Sequence, residues 1–256
     1  IYMSKTKPNT PHPPIVIFDV DGPLIPSVGP RLLVLKYMHN PWFEWEEVVK
    51  RHYTSFDIIR MMESADTESN REYFNRIRRK FRPLIPKWVK RWSFFIVIGL
   101  KLRQYEYRYA DFIDGAVDTI KQLDDLGVIL GICSSSEKKR IKKWLERKNI
   151  TRFFPKFTSR DHKPKYGLKP DPRPVLGSLL MLKQQHRLGK IDKDSVVFVG
   201  DNVTDVISAR AGGIKSIAVL SGHGLKRELK RVKPDFIVKD VTEIPAILPE
   251  LFPNHF

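Results

Sequence analysis

The chain has 256 residues, 41% hydrophobic and 29% charged, which suits a soluble globular core, with or without a smaller second lobe, and excludes a fibrous or wholly disordered chain. A formal net charge of +17 favours anionic partners, so phosphate esters, nucleic acids and anionic membrane surfaces all stay open. The single cysteine, Cys133, excludes an internal disulfide and a cysteine-built metal site, and suits a reducing, cytoplasmic setting.

In chain order, Ile1 to Pro14 is polar and proline-rich (TKPNTPHPP), lacks the apolar stretch of a signal peptide, and reads as a disordered lead-in. Ile15 to Phe18 (IVIF) is a short apolar, β-branched run ending at Asp19, the pattern of a buried parallel strand. Gly22, Pro23 and Pro26 then break the chain. Residues 26–111 show almost no strand pattern, are rich in helix formers and aromatics, and are expected to form a helical lobe. The apolar run Ser93 to Leu100 within it is too short to span a bilayer, which needs about 20 residues. With Trp88, Lys90, Arg91 and Trp92 before it, it reads as a buried helix, or as one that lies on a membrane surface.

From residue 112 onward helices and strands alternate. Helices are predicted over Ala116–Leu126, stopping at Gly127, and over Glu137–Lys148, with Ile141, Trp144 and Leu145 on one face. Further helices are expected over Pro172–His186, Val203–Ala211, Leu225–Arg231 and Thr242–Leu251. Strands are predicted over Val128–Cys133, Val196–Val199, Ser216–Leu220 and Phe236–Val238. The alternation implies an α/β fold: a doubly wound, Rossmann-like parallel sheet formed by residues 15–25 and 112–256, with an α-helical cap (26–111) inserted after the first strand.

Ligands of such sheets bind beyond the carboxyl ends of the strands. Those ends carry Asp19 and Asp21, then Ser134, Ser135 and Ser136, then Asp201 and Asp205; Lys169 lies in a turn-rich stretch between the second and third of these groups. Crowded carboxylates with no histidine or cysteine among them call for a hard cation, magnesium above all. Such an ion together with a lysine suits a phosphoryl group.

Asp19-Val20-Asp21-Gly22, the strand-end Ser134, Lys169 before a proline and Gly200-Asp201-Asn202-Val203-Thr204-Asp205, in this order, resemble the motifs of the haloacid dehalogenase-like superfamily. The insertion directly after the first motif resembles its helical-cap branch, which includes phosphoglycolate phosphatase-like proteins. The resemblance implies a magnesium-dependent phosphatase of a small phosphorylated metabolite, with Asp19 as nucleophile and Asp21 as general acid and base. It further implies that Ser134, with Ser135 next in preference, and Lys169 bind the phosphoryl group. Magnesium would be held by Asp19, the carbonyl of Asp21 and Asp201, with Asp205 supporting the metal directly or from behind. A phosphomutase, a phosphatase of nucleotide or nucleic-acid phosphate and a non-catalytic binding protein of the same fold are the alternatives. The second acid, Asp21, favours phosphoryl transfer over dehalogenation. Pro23 departs from the threonine or small β-branched residue usual in such phosphatases and is expected to slow or alter turnover. Cys133 is expected to be a small core residue.

Overall fold

Ile15 to Phe18 is apolar at every position, and each of these residues is completely buried. A strand covered on both faces needs such a run, because neither side of its pleat meets water. The computed structural model of the protein describes residues 12–26, 111–222 and 224–256. All but the ends of the expected helical lobe, including the run Ser93 to Leu100, lie outside the described residues, as do residues 1–11 and His223. Pro14 is already in place, accepting the backbone N–H of Ile129 at 2.8 Å. His12 is buried and accepts the N–H of Asp192 at 2.9 Å, so the chain that precedes the first strand is packed from His12 on.

Five strands, β1 (Ile15–Phe18), β2 (Ile129–Ile132), β3 (Val196–Gly200), β4 (Lys215–Val219) and β5 (Phe236–Val238), form one sheet in the order β2-β1-β3-β4-β5. Every pairing is parallel. Between β1 and β2 comes α1 (Ala116–Asp125); between β2 and β3 come α2 (Lys138–Arg147), α3 (Lys163–Tyr166) and α4 (Arg173–Gln185). Then α5 (Val203–Ala211) follows β3, α6 (Lys226–Arg231) follows β4, and α7 (Ile244–Leu251) closes the chain. The chain runs outward from β1 to β2 and then crosses back to β3. The β1/β3 junction is therefore the topological switch point, where the crossovers diverge and leave a crevice.

The helices follow their apolar periodicity. In α1, Ala116, Ile120 and Leu123 are buried on one stripe, and in α2 the predicted face of Ile141, Trp144 and Leu145 is buried while Lys138, Lys139, Lys142 and Lys143 are exposed. Leu182 of α4 lies against Gly131 of β2: a Cβ at position 131 would sit 2.7 Å from Leu182 Cδ1 and 3.3 Å from Ile17 Cγ1. Glycine at that point lets the helix close on the sheet. The main core joins Ile15, Ile17, Val196 and Phe198 of the central strands to Val175, Leu179 and Leu182 of α4.

Among the described strands and α-helices, two differences from the sequence reading exceed one residue. The helix expected from Thr242 begins at Ile244, because Val241–Glu243 is a 3-10 turn held by Asp240, whose carboxylate accepts the Thr242 N–H at 3.0 Å. The short α3 went unpredicted; a single turn has no apolar period to read, and Pro164 near its start is its one sequence mark. Among the described residues no helix is long and apolar enough to cross a membrane.

Candidate active site

The register places the site. Phe18 is the partner of Ile132 on one side and of Val199 on the other, so the residues just beyond them emerge together at one edge of the sheet. Asp19 donates its backbone N–H to Val199 O at 2.8 Å, and its Oδ1 accepts the N–H of Val20 at 2.7 Å. The chain then turns: Leu24 and Ile25 both donate to Val20 O, and Gly22 donates to Ile25 O. Pro23 is buried inside this turn, which closes without any hydrogen from position 23. Its missing N–H is therefore no loss to the backbone.

On the β2 side, Ser134 is buried, Ser135 is exposed and Ser136 is buried. The hydroxyl of Ser136 donates to Asp21 Oδ2 at 2.5 Å, and its backbone N–H donates to Ser134 Oγ at 3.1 Å. The sequence reading ranked Ser134 and Ser135 ahead of Ser136, because the strand end alone does not say which of three serines turns inward.

On the β3 side, Asn202 caps α5. Its Oδ1 accepts the Thr204 N–H, while Asp205 Oδ2 accepts the Asn202 N–H at 2.9 Å. That reciprocal box explains the local sequence Asn-Val-Thr-Asp. It also leaves the other oxygen of Asp205 facing the site, where Oδ1 lies 2.6 Å from Lys169 Nζ. The same ammonium is 2.8 Å from Asp19 Oδ2, with its side chain only 5% exposed. The Lys169–Pro170 peptide bond is cis.

Burial pushes the Asp19 carboxyl up to about 6, with the charges of Asp205 and Asp201 adding to the rise and Lys169 opposing it. Burial likewise pushes Asp21 up to about 6, reinforced by Asp19 and opposed by Ser136. Asp205 is raised by burial against the pull of Lys169. Burial alone would lower the lysine, but Asp19 and Asp205 outweigh it and hold its pKa above the ordinary value. Cys133 is buried, and desolvation pushes its thiol up to about 12, as befits a small core residue.

One carboxylate oxygen from each of Asp19, Asp201 and Asp205 lies within 4.8 Å of the others, and all three residues are buried. With Lys169 among them, the three carboxylates and the ammonium sum to a charge of about −2 when ionised. A buried all-oxygen cluster of that charge fits a small, hard divalent cation.

The loop after β4 closes against Gly22 and Asp201. Ser221 Oγ donates to Gly22 O at 2.9 Å. A Cβ on Gly22 or on Gly222 would overlap the Asp201 carboxylate, and one on Gly224 would overlap the Asp201 carbonyl. Two glycines in Ser-Gly-His-Gly, directly beyond a strand end, were the available signal. Gly22 also has φ +107°, which an L side chain rarely adopts. Gly22→Ala therefore combines backbone strain with a blocked carboxylate. It is expected to destabilise the fold by about 2 kcal/mol or more and to abolish divalent-cation binding, as checked by thermal denaturation and calorimetric titration with magnesium.

Residues 16–219 match the family described as haloacid dehalogenase-like hydrolase. A phosphoglycolate phosphatase of Synechococcus elongatus is 23% identical, over 92% of this chain and 97% of that protein. A pyrophosphatase, PpaX, of Bacillus pumilus is 30% identical over 132 residues, 52% of this chain and 57% of that protein. For several other curated relatives, too, the match spans little more than half of their length. Among solved structures, a HAD family hydrolase from Deinococcus radiodurans with bound phosphate and sodium superposes with a TM-score of 0.61 at 20% identity, over 95% of this chain and 97% of that one. A hydrolase from Pseudomonas syringae gives a TM-score of 0.59 at 18% identity, over 93% and 98%. The matched residues run from within β1 to the end of β4 and so include both sides of the switch-point crevice, and the chain belongs to the haloacid dehalogenase-like hydrolase family.

Proposed function

We propose that the chain is a magnesium-dependent phosphatase that hydrolyses a small organic phosphate monoester through an aspartyl-phosphate. The observation that carries this reading is the pair Asp19 and Asp21 at one strand end, with Lys169 Nζ 2.8 Å from the first. Asp19 attacks phosphorus, and Asp21 protonates the departing oxygen. Asp21 then takes a proton from the water that hydrolyses the intermediate. Its pKa of about 6 suits both duties near neutral pH. Ser134 accepts the Ser136 N–H at its oxygen, which leaves its own hydrogen for a phosphoryl oxygen. Lys169 offsets charge on the nucleophile and on the transferring group. Asp19, Asp201 and the Asp21 carbonyl would hold the magnesium ion, with Asp205 beside them; the ion would draw charge from the phosphoryl oxygens.

In this reading residues 15–25 and 112–256 form the catalytic core and 26–111 a helical cap that selects the leaving group, in a cytoplasmic enzyme. The names of the relatives set the substrate panel: phosphoglycolate and inorganic pyrophosphate, beside sugar phosphates, nucleotides and p-nitrophenyl phosphate. Release of inorganic phosphate is expected with magnesium and is expected to fall at least about 100-fold with EDTA. Folded, magnesium-binding protein that releases phosphate from nothing in the panel would refute the reading.

A further inference from the structure

We infer that Ser136 is the positioning residue for the acid Asp21, holding Oδ2 so that Oδ1 is the oxygen that passes the proton to the leaving group. The inference rests on the phosphatase reading above. Ser136 reaches across 115 residues of sequence to make its 2.5 Å bond, and it is itself buried. Its backbone is tied on both sides: the N–H donates to Ser134 Oγ, and the carbonyl accepts the Arg160 N–H at 3.0 Å. Arg160 in turn pairs with Glu137, and the Lys138 N–H donates to Asp161 Oδ2 at 2.6 Å, so the loop after β2 and the start of α2 are pinned together to the turn that precedes α3. The hydroxyl is thus fixed before substrate arrives, which is what a preorganised acid needs.

The serine also decides between the two oxygens. An oxygen that accepts a hydrogen bond from a hydroxyl is the poorer place for the carboxylic proton, so the acid form of Asp21 carries its hydrogen on Oδ1. In the first step the Asp19 Oδ–P bond forms, the P–O bond to the leaving group breaks, and that hydrogen moves from Oδ1 to the departing oxygen. Ser136 keeps its own hydrogen throughout and bonds the resulting carboxylate more strongly than the acid.

The role is tested by leaving-group dependence. A p-nitrophenolate departs without help, whereas an alkoxide needs the proton. We would measure kcat/KM for wild type, Ser136→Ala, Ser136→Cys and Ser136→Thr on p-nitrophenyl phosphate, phenyl phosphate and an alkyl phosphate. Ser136→Ala is expected to lose about 100-fold on the alkyl ester but less than about threefold on the p-nitrophenyl ester. The loss should fall on kcat more than on KM, with Thr restoring most of it. The near-isosteric Cys variant carries the same comparison where Ala fails to fold. An equal loss on every ester, or none, overturns the role of the serine while leaving the phosphatase reading intact. A wild type inactive on all three esters and on the substrate panel above removes the phosphatase reading and the role of the serine with it.

Discussion

Asp19→Asn is expected to abolish phosphate release and, in metal-free protein at neutral pH, to make the fold more stable. The activity term is direct: without a carboxylate no aspartyl-phosphate forms, and removal of a covalent nucleophile costs at least about 10³-fold. The stability term follows from the shift of Asp19 from an ordinary 3.8 to about 6 in the folded chain. A carboxyl whose folded pKa is raised stabilises the fold fully only below its unfolded pKa. That stability is lost as the pH rises through the folded pKa. For Asp19 the loss runs between about pH 4 and pH 6 and amounts to about 3 kcal/mol. Asparagine cannot ionise, so the variant escapes that loss. Urea unfolding in EDTA at pH 4 and pH 7.5 should therefore show wild type and variant drawing apart as the pH rises, the variant becoming the more stable. Magnesium should reverse the order at pH 7.5 by stabilising the wild type. A difference between the two proteins that does not change with pH would mean that Asp19 is not under this strain.

That Asp19 should sit at the expense of its own fold is intelligible from the packing around it. Phe18 beside it is buried, Asp205 faces it through a shared lysine that lies over the buried Phe198 ring, and the Gly22 turn brings Asp201 close. Functional clusters of this kind hold like charges where hydrophobic packing would prefer none.

The fold was legible because both of its periods were plain. IVIF and VVFV read as buried parallel strands, and Ile141, Trp144 and Leu145 mark the inner face of α2. The acids were legible because strand ends in a parallel sheet converge, so Asp19 and Asp201 had to meet once their strands paired. Contacts made by loops were not legible. Ser134, Ser135 and Ser136 are chemically alike, and only the backbone path after β2 turns the third toward Asp21. Gly222 and Gly224 carry no chemistry to notice; they matter because Asp201 fills the space their side chains would need. Pro23 departs from the motif, and the turn around it closes without a hydrogen from that position. Of the basic surplus, the sequence shows only that Lys138, Lys139, Lys142 and Lys143 share a helix; their exposure fits a solvated face as well as an anion-binding one.

Lys169→Met is expected to cost both stability and turnover, with a pH dependence that separates charge from packing. The methionine keeps the length of the side chain and its place near the Phe198 ring, over which the ammonium sits at 5.2 Å from the centroid. It removes the cation that pairs with both Asp19 and Asp205. Two buried carboxylates then face each other, and breaking such a pairing costs about 3–5 kcal/mol. Without the lysine the folded pKa of each acid rises further, so the penalty is largest where both would be ionised and shrinks as acid neutralises them. The loss relative to wild type should accordingly be greater at pH 7.5 than at pH 5 in EDTA, as read from urea midpoints. Lys169→Arg should not restore the wild type, since a planar guanidinium does not fit a slot in which the lysine side chain is only 5% exposed. With magnesium at saturation, phosphate release by Lys169→Met should still be about 10²–10³-fold down, because the missing charge acts on the transferring group as well as on the fold. Equal destabilisation at both pH values would assign Lys169 to packing and leave the charge of Asp19 and Asp205 to be balanced by the metal alone.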